Sequence, residues 1–352
     1  VQLKSSVHSE KDIYWESIAS DTLFGITMLL FQLAPNESVV NMESLLQLRR
    51  FLLSHDEDEH GHGDIFWNYI STLPENSIIR YKLASLESLR SVAKTFGCVI
   101  STLDTMIAPF IMQKSLSSLM GHSDFDYSDL AEKKTAIFLI IPDEKRTLHF
   151  LASVFIKQCY ESLIHTAQTC KDGMLPQRVN FVLDEFANSP KIADMSSMIS
   201  AARSRKIRFY LIVQSKQQLY SIYDKDADTI RSNCGTWIFL ASREMELLEE
   251  MEGLCGLTFV EGRGYIPMMS TSSLQYLEIG WTDSQALILR PQTRPYLSWV
   301  KDFSVYPQAK FEEISLPKRS TEEEVPYFSF MQYLNGEYDT IIDSIDINDI
   351  LI

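Results

Sequence analysis

No glycine in this chain is followed by lysine, so its 352 residues contain no G-x-x-x-x-G-K-[ST] loop. That loop cradles phosphates with backbone N–H groups, a Lys and a hydroxyl. Its absence excludes a complete P-loop site within these residues. The five cysteines, Cys98, Cys159, Cys170, Cys234 and Cys255, include no C-x-x-C pair. Their scatter suits free thiols in a reducing compartment, with Cys98, Cys159 and Cys234 expected as packing residues in apolar surroundings. Long hydrophobic runs are missing too. The longest near-apolar stretch, Leu23 to Leu33, is too short to cross a bilayer, and no signal-peptide pattern opens the chain. Positive charge is scarce: 32 Lys and Arg stand against 47 Asp and Glu, a net charge of -15. Non-specific nucleic-acid binding rests on basic side chains that neutralise phosphates, so the chain as a whole should be repelled by DNA. About half of the excess is local. Residues 311–352 hold ten acids against Lys318 and Arg319, which is -8 and leaves -7 for the rest.

What is present centres on Val179 to Ser215. Val179 to Leu183 is a short apolar run that ends in Asp184 and Glu185. A β-rich run that stops at charge reads as a buried parallel strand bringing side chains to the carboxyl edge of a sheet. Helical spacing follows over about Asp194 to Ser204, ending in the basic cluster Arg203, Arg205, Lys206 and Arg208. A second apolar run, Phe209 to Val213, ends in Gln214. This is one βαβ unit, and ligands of open α/β sheets bind at that edge. The residue types suit nucleotide hydrolysis. An Asp there can hold Mg²⁺, a Glu can activate water, and a Gln on the next strand can read a γ-phosphate. A strand also ends in acids simply because it has reached solvent; Gln214 and the Arg-rich helix end favour the chemical reading.

The segment DEFANSPKI, the following AARSRKIRF, and QS after LIV resemble the conjugative type IV secretion coupling proteins, the TraG-like and TraD-like DNA-translocating ATPases. So do RSNCGTWIFLAS at Arg231 to Ser242, SDFDYSDLAEKKTAIFLIIPDE at Ser123 to Glu144, and KTFGCVISTLDTMIAPF at Lys94 to Phe110. The resemblance implies an α/β fold: a RecA-like P-loop NTPase motor domain, with a mostly parallel sheet flanked by helices and an inserted all-α domain. It implies ATP and Mg²⁺ as cofactors, with Asp184 holding Mg²⁺ through water and Glu185 as catalytic base. Gln214 becomes the γ-phosphate sensor, and Arg203 reaches the ATP of a neighbouring subunit. It implies single-stranded DNA, a relaxase and secretion-channel components as partners, a membrane-anchored homo-hexamer, and a cytoplasmic location for this part. The family places its P-loop upstream of the matched region, and the chain begins at Val1 rather than Met. The expectation is therefore a fragment that starts after the loop, inactive and possibly monomeric by itself. The alternatives are a degenerate motor and a non-hydrolytic docking platform for relaxase or secretion components.

Four segments are expected. Residues 1–35 form a helix over Ile13 to Ala34, ended by Pro35, which joins motor to insert. Residues 36–122 are the all-α insert, with helices over Ser44–Ser54, Ile65–Thr72 and Ser77–Phe110, the last ended by Pro109. Lys94 and Thr95 in it read better as an exposed helix face than as functional residues. His55 to Asp64, HDEDEHGHGD, could ligate a metal but reads better as a solvated loop. Residues 123–310 are the motor, with Thr135 to Ile141 as a fully buried strand, a helix over Leu148 to Ala167 and strands at Thr236–Leu240 and Ala286–Arg290. A loop or ribbon is expected over Thr258 to Ser273. Arg290 and Arg294 could approach nucleotide or a neighbouring subunit, Arg290 being the candidate for nucleotide binding, but both read better as surface cations. Residues 311–352 are acidic yet carry Phe328, Phe330, Tyr333 and a run of Ile, which suits either a docking tail or packing on the protein's own body.

Overall fold

The computed structural model describes residues 10–53, 62–121, 125–141, 148–307 and 325–338. The chain divides into two compact units, Val1–Phe125 with Arg319–Ile352, and Asp126–Lys318.

Among its described residues, the regular secondary structure of the first unit is all helical. Its helices are α1 (Glu10–Leu33), α2 (Met42–Leu53), α3 (His62–Thr72), α4 (Ile78–Leu89), α5 (Ala93–Met112) and the short α6 (Lys114–Leu119). Asn41 begins α2 by accepting the Ser44 N–H on its Oδ1 at 3.1 Å, which satisfies one of the donors a helix start leaves over. Apolar residues at helical spacing bring Ile26, Leu29, Leu48, Leu83, Val99 and Leu103 into one core. Gly25 lets α1 approach α4, since a Cβ there would lie 2.9 Å from Leu83. Pro109 does not end its helix. It sits inside the last turn of α5, which runs on to Met112, and its carbonyl still accepts the Gln113 N–H at 3.2 Å. By length and composition α5 is apolar enough to cross a membrane, but Phe96, Val99, Ile100, Leu103 and Ile107 are buried within this unit. Lys94 is exposed on its first turn and Thr95 half-buried. Cys98 faces solvent, contrary to its expected packing role, because its position on α5 lies off the apolar stripe.

Residues 55–61 of the acidic, His-rich stretch lie outside the described residues, and His62 to Asp64 open α3. Among the described residues no group of three His, Cys, Asp or Glu is placed to hold a metal.

The second unit mixes helices and sheet. After α7 (Asp129–Glu132) and α8 (His149–Thr169) come β1 (Val179–Leu183), α9 (Met195–Ala202) and β2 (Ile207–Leu211). The chain continues through α10 (Lys216–Tyr223), α11 (Asp226–Asn233), β3 (Trp237–Phe239) and α12 (Met245–Cys255). Strands β4 (Leu257–Val260) and β5 (Gly264–Pro267), α13 (Thr271–Gln275), β6 (Asp283–Leu289) and β7 (Tyr296–Lys301) complete it. β1 and β2 pair in parallel, Val179 opposite Ile207 and Leu183 opposite Leu211. Phe181 stacks on its register partner Phe209 at 5.0 Å, and Tyr160 of α8 covers the pair. β3, β6 and β7 form an antiparallel sheet, and β4 and β5 the hairpin that was expected as a loop or ribbon. Burial pushes the Cys159 thiol in the α8 core up to about 11.

Thr135 to Ile141 is the main departure from expectation. The segment makes no ladder with any described strand, and Phe138 and Ile140 are 86% and 88% exposed. An apolar run becomes a buried strand only when a neighbour supplies the backbone partners and both faces are covered; here neither condition is met.

One ion cluster ties α10, α11 and α12 together. The Glu250 carboxylate accepts from Arg231 at 2.6 Å and lies 3.1 Å from the Lys216 ammonium in ion-pair contact. Burial by itself would raise the Glu250 carboxyl, but hydrogen bonds and charge from Arg231 and Lys216 overcome it and hold the group below its usual range. A carboxyl that titrates lower when folded contributes stability above its unfolded pKa. That contribution is lost as pH falls through the folded value. Glu250→Gln is therefore expected to lower the melting temperature at pH 7 and to flatten its fall between about pH 5 and 3. An unchanged acid limb would remove Glu250 from the account.

Candidate functional site

The site is built on the carboxyl ends of β1 and β2. Their parallel pairing continues past the last ladder residue: the Ile212 N–H donates to the Leu183 carbonyl at 3.0 Å and the Phe186 N–H to the Ile212 carbonyl at 2.9 Å. This backbone bracket fixes Glu185 beside Gln214. The chain then turns sharply, with Glu185 in the left-handed region at φ 46°. A non-glycine residue pays about 1–2 kcal/mol for that conformation, so the surrounding contacts must hold it. They do. The Glu185 N–H donates to Asp184 Oδ1 at 3.0 Å, and the Asn188 N–H returns to the Glu185 carbonyl at 2.7 Å. Phe186, next along, is 1% exposed and stacks on Tyr223 at 5.1 Å. The Tyr223 hydroxyl accepts the Ile192 N–H at 3.2 Å, and burial pushes that phenol up to about 12.

The result is an exposed carboxylate gripped by two amides. Gln214 Nε2 donates to Glu185 Oε1 at 3.0 Å, and Asn188 Nδ2 donates to Oε2 at 2.9 Å. Asp184 stands beside it, exposed, with Oδ1 accepting the Glu185 N–H. Gln214 directly precedes Ser215, which caps α10 by accepting the Gln218 N–H at 3.4 Å. Asp184, Glu185 and Gln214, singled out by their places in the sequence, thus come together. Asn188 was missed as a site residue. Its signal was the DEFANS spacing, which places an amide three residues after Glu185.

Arg203 lies at the end of α9, exposed, with no recorded hydrogen bond or ion pair from its guanidinium among the described residues. Its neighbour Arg205 is committed to the Gly173 carbonyl at 2.7 Å. Lys206 and Arg208 are exposed as well, but they donate to the Pro176 carbonyl at 3.5 Å and the Tyr210 hydroxyl at 3.0 Å, so among the described residues Arg203 is the cation of the cluster without such a bond. Arg290 borders a different feature, a cavity of about 490 Å³ lined also by Arg231, Trp237, Glu250, Pro291 and Pro295, and by none of Asp184, Glu185 or Gln214. Arg294 is exposed.

The Phe186–Tyr223 stack is what seats the turn. Truncating a buried Phe costs about 3–5 kcal/mol. Phe186→Ala is expected to lose stability of that order in urea titration. Phe181→Ala, on half-buried sheet packing, should lose less. Equal losses would mean that the stack has no special hold on the turn.

Residues 26–278 match the family described as type IV secretory system conjugative DNA transfer. Protein VirD4 of Rhizobium radiobacter is 28% identical over 179 residues, 50% of this chain and 25% of the relative. Protein VirD4 of Agrobacterium fabrum (strain C58 / ATCC 33970) is 30% identical over 128 residues, 36% of this chain and 19% of the relative. The matches therefore span about a quarter or less of these curated relatives' length. Among solved structures, the unbound monoclinic form of the bacterial conjugative coupling protein TrwBdeltaN70 is similar. Its TM-score is 0.50 at 15% identity, over 82% of this chain and 68% of that one. The likeness shows the fold, a RecA-like α/β domain with an all-α domain beside it in the chain, as the sequence resemblance implied.

Proposed function

This chain belongs to the type IV secretory system conjugative DNA transfer family, and from that premise we propose that it is part of a coupling-protein motor. In this reading the cluster at the ends of β1 and β2 is the water-activating half of an ATP site. The observation that carries the proposal is the clamp on Glu185: Gln214, just past the end of β2, and Asn188 from the turn orient one exposed carboxylate beside a second, Asp184. Hard oxygen donors at an open strand end fit Mg²⁺, and Asp184 presents them to solvent. Mg²⁺ held with ATP would neutralise charge that develops on the transferred phosphoryl group. Asp184 would orient the ion's waters. Glu185 would take the proton of the attacking water, on whichever oxygen its amide partner releases. Gln214, bonded directly to Glu185, would link that base to the state of the γ-phosphate. Arg203, exposed and uncommitted, would reach a neighbouring subunit's nucleotide.

The remaining assignments extend the same reading. Unit 2 with its β1–β2 edge would be the motor part, and the helical unit its insert. The whole protein would be a membrane-anchored hexamer with these residues on the cytoplasmic side, moving single-stranded DNA with its relaxase towards the secretion channel. The acidic balance of the chain, -15, confines DNA contact to local basic surface.

A second reading has one observation behind it. No G-x-x-x-x-G-K-[ST] occurs in these 352 residues. A chain without those phosphate contacts could serve as a docking platform for relaxase or channel components. The deciding experiment is ATP turnover by the 352-residue chain beside the longest product of its gene, with and without single-stranded DNA. Turnover in the longer protein alone supports the motor, and silence in both supports the platform.

A further inference from the structure

We infer that Lys216 is a positioning residue for the Glu185 clamp: by fastening the first turn of α10 to α12, it holds Gln214 where its amide meets Glu185. The inference rests on the nucleotide reading of that clamp. Lys216 itself is bonded to α12 and its N-terminal flank, not to the carboxylates proposed to act.

Gln214 does not fix its own place. It lies in the short irregular stretch, Ile212 to Ser215, between the end of β2 and the start of α10. Its side chain is exposed and reaches Glu185 Oε1 at 3.0 Å. Among the described residues neither Val213 nor Gln214 makes a backbone–backbone hydrogen bond. The two ends of the stretch therefore set where the amide stands. At the β2 end the parallel ladder and the bonds of Ile212 do so. At the α10 end, Leu219 and Tyr223 seat the helix in the core, but they lie further along it. The cap bond of Ser215, 3.4 Å to the Gln218 N–H, is longer than a good hydrogen bond.

Lys216 supplies the anchor for that first turn. Its N–H donates to Glu244 Oε2 at 3.2 Å. Its side chain is 16% exposed; the ammonium donates to Glu246 Oε1 at 2.7 Å and lies 3.1 Å from Glu250 Oε2. Nζ also stands over the Tyr220 ring, 5.9 Å from its centre. Glu250 is held in turn by Arg231 of α11 at 2.6 Å, so the anchor is itself anchored. A charge shared among several partners in a network holds geometry in a way that an isolated surface pair does not. A staple for stability alone could stand anywhere on α10. This one stands two residues after Gln214, at the end of the stretch that otherwise has one long cap bond. Misplacing a catalytic group by about 1 Å costs on the order of a hundredfold in rate.

The test reads turnover in the longest product of the gene and the Gln214 amide in the 352-residue chain. Lys216→Met is expected to lower kcat about 10–100-fold, with the KM for ATP changed by less than about twofold. Lys216→Arg, which keeps the charge and the donors, should recover most of the loss. In a Gln214→Ala background the same Lys216→Met should change turnover by less than about twofold, because the amide it positions is gone. By NMR of the chain labelled in its glutamine side-chain amides, the Gln214 signal, identified by its loss in Gln214→Ala, should shift in Lys216→Met and return in Lys216→Arg. A Lys216→Met that lowers turnover equally with and without Gln214, or leaves the amide signal in place, is the mark of a structural staple and overturns the inference. Glu185→Gln, run beside it, separates the two failures. If Glu185→Gln keeps full turnover, the nucleotide reading falls and the inference with it. If Glu185→Gln is silent while Lys216→Met is fully active, the inference alone falls. Should Lys216→Met not fold, Glu246→Gln on the exposed side of α12 takes its place. It should shift the same amide signal and lower turnover by less than the loss expected for Lys216→Met; a variant that does neither overturns the inference.

Discussion

Glu185→Gln is expected to leave nucleotide binding intact and to reduce ATP turnover by about 10²–10⁴-fold, the range that a general base supplies. The measurement belongs in the longest product of the gene, where phosphate contacts beyond these residues are available. The reasoning is local. Gln has the shape of Glu, so the left-handed turn at position 185 and the buried Phe186 behind it are undisturbed. Its amide oxygen can keep one of the two donors, Gln214 or Asn188, and loses the other. Asp184 still accepts the backbone N–H of residue 185, so the oxygen donors proposed for Mg²⁺ keep their place. Beyond that one hydrogen bond, what is removed is the negative charge and with it the capacity to take a proton from water. Nucleotide affinity, read by a fluorescent analogue, should therefore change little while turnover collapses. Turnover that survives would show that another group activates water and that the clamp on Glu185 is structural.

The β1–α9–β2 unit was legible because three signals agree there: β-rich apolar runs of strand length, a helical period between them, and charged or amide residues at both strand ends. The register pair Phe181–Phe209 confirms how tightly that local pattern constrains pairing. Elsewhere the deciding partner is remote. TAIFLII at Thr135 to Ile141 has the composition of a buried strand, yet burial depends on a neighbour that composition does not specify. Pro109 reads as a stop, but a Pro in the last turn removes little of the helix's own bonding. Asn188 entered the site only because Glu185 adopts a positive φ, which no propensity assigns to Glu. The tail left two fates open, docking or self-packing. The seat of Phe330 among Phe51, Phe66 and Tyr69 joins residues more than 260 positions apart and settles that stretch in favour of self-packing. Residues 339–352, with their acidic-hydrophobic alternation, lie outside the described residues.

Arg203→Ala is expected to cost about 10³–10⁵ in turnover, the range measured for arginine fingers, but only where subunits are assembled. The structure gives the physical basis for that condition. Within its own chain Arg203 faces solvent at the end of α9 and contacts neither Asp184 nor Glu185. An exposed guanidinium contributes little to its own fold, so the melting temperature should not move. Arg205, two residues on, offers the internal control. It is bonded to the Gly173 carbonyl, and Arg205→Ala should lower stability without a selective effect on assembled activity. The decisive format is a mixing experiment. Glu185→Gln subunits supply a neighbour with an intact Arg203, and Arg203→Ala subunits supply an intact Glu185. If the arginine acts across an interface, mixed assemblies should regain part of the turnover that each variant lacks alone. If Arg203→Ala silences a dilute, unassembled protein as strongly as the ring, the arginine acts within its own subunit, and the exposed end of α9 is not a finger.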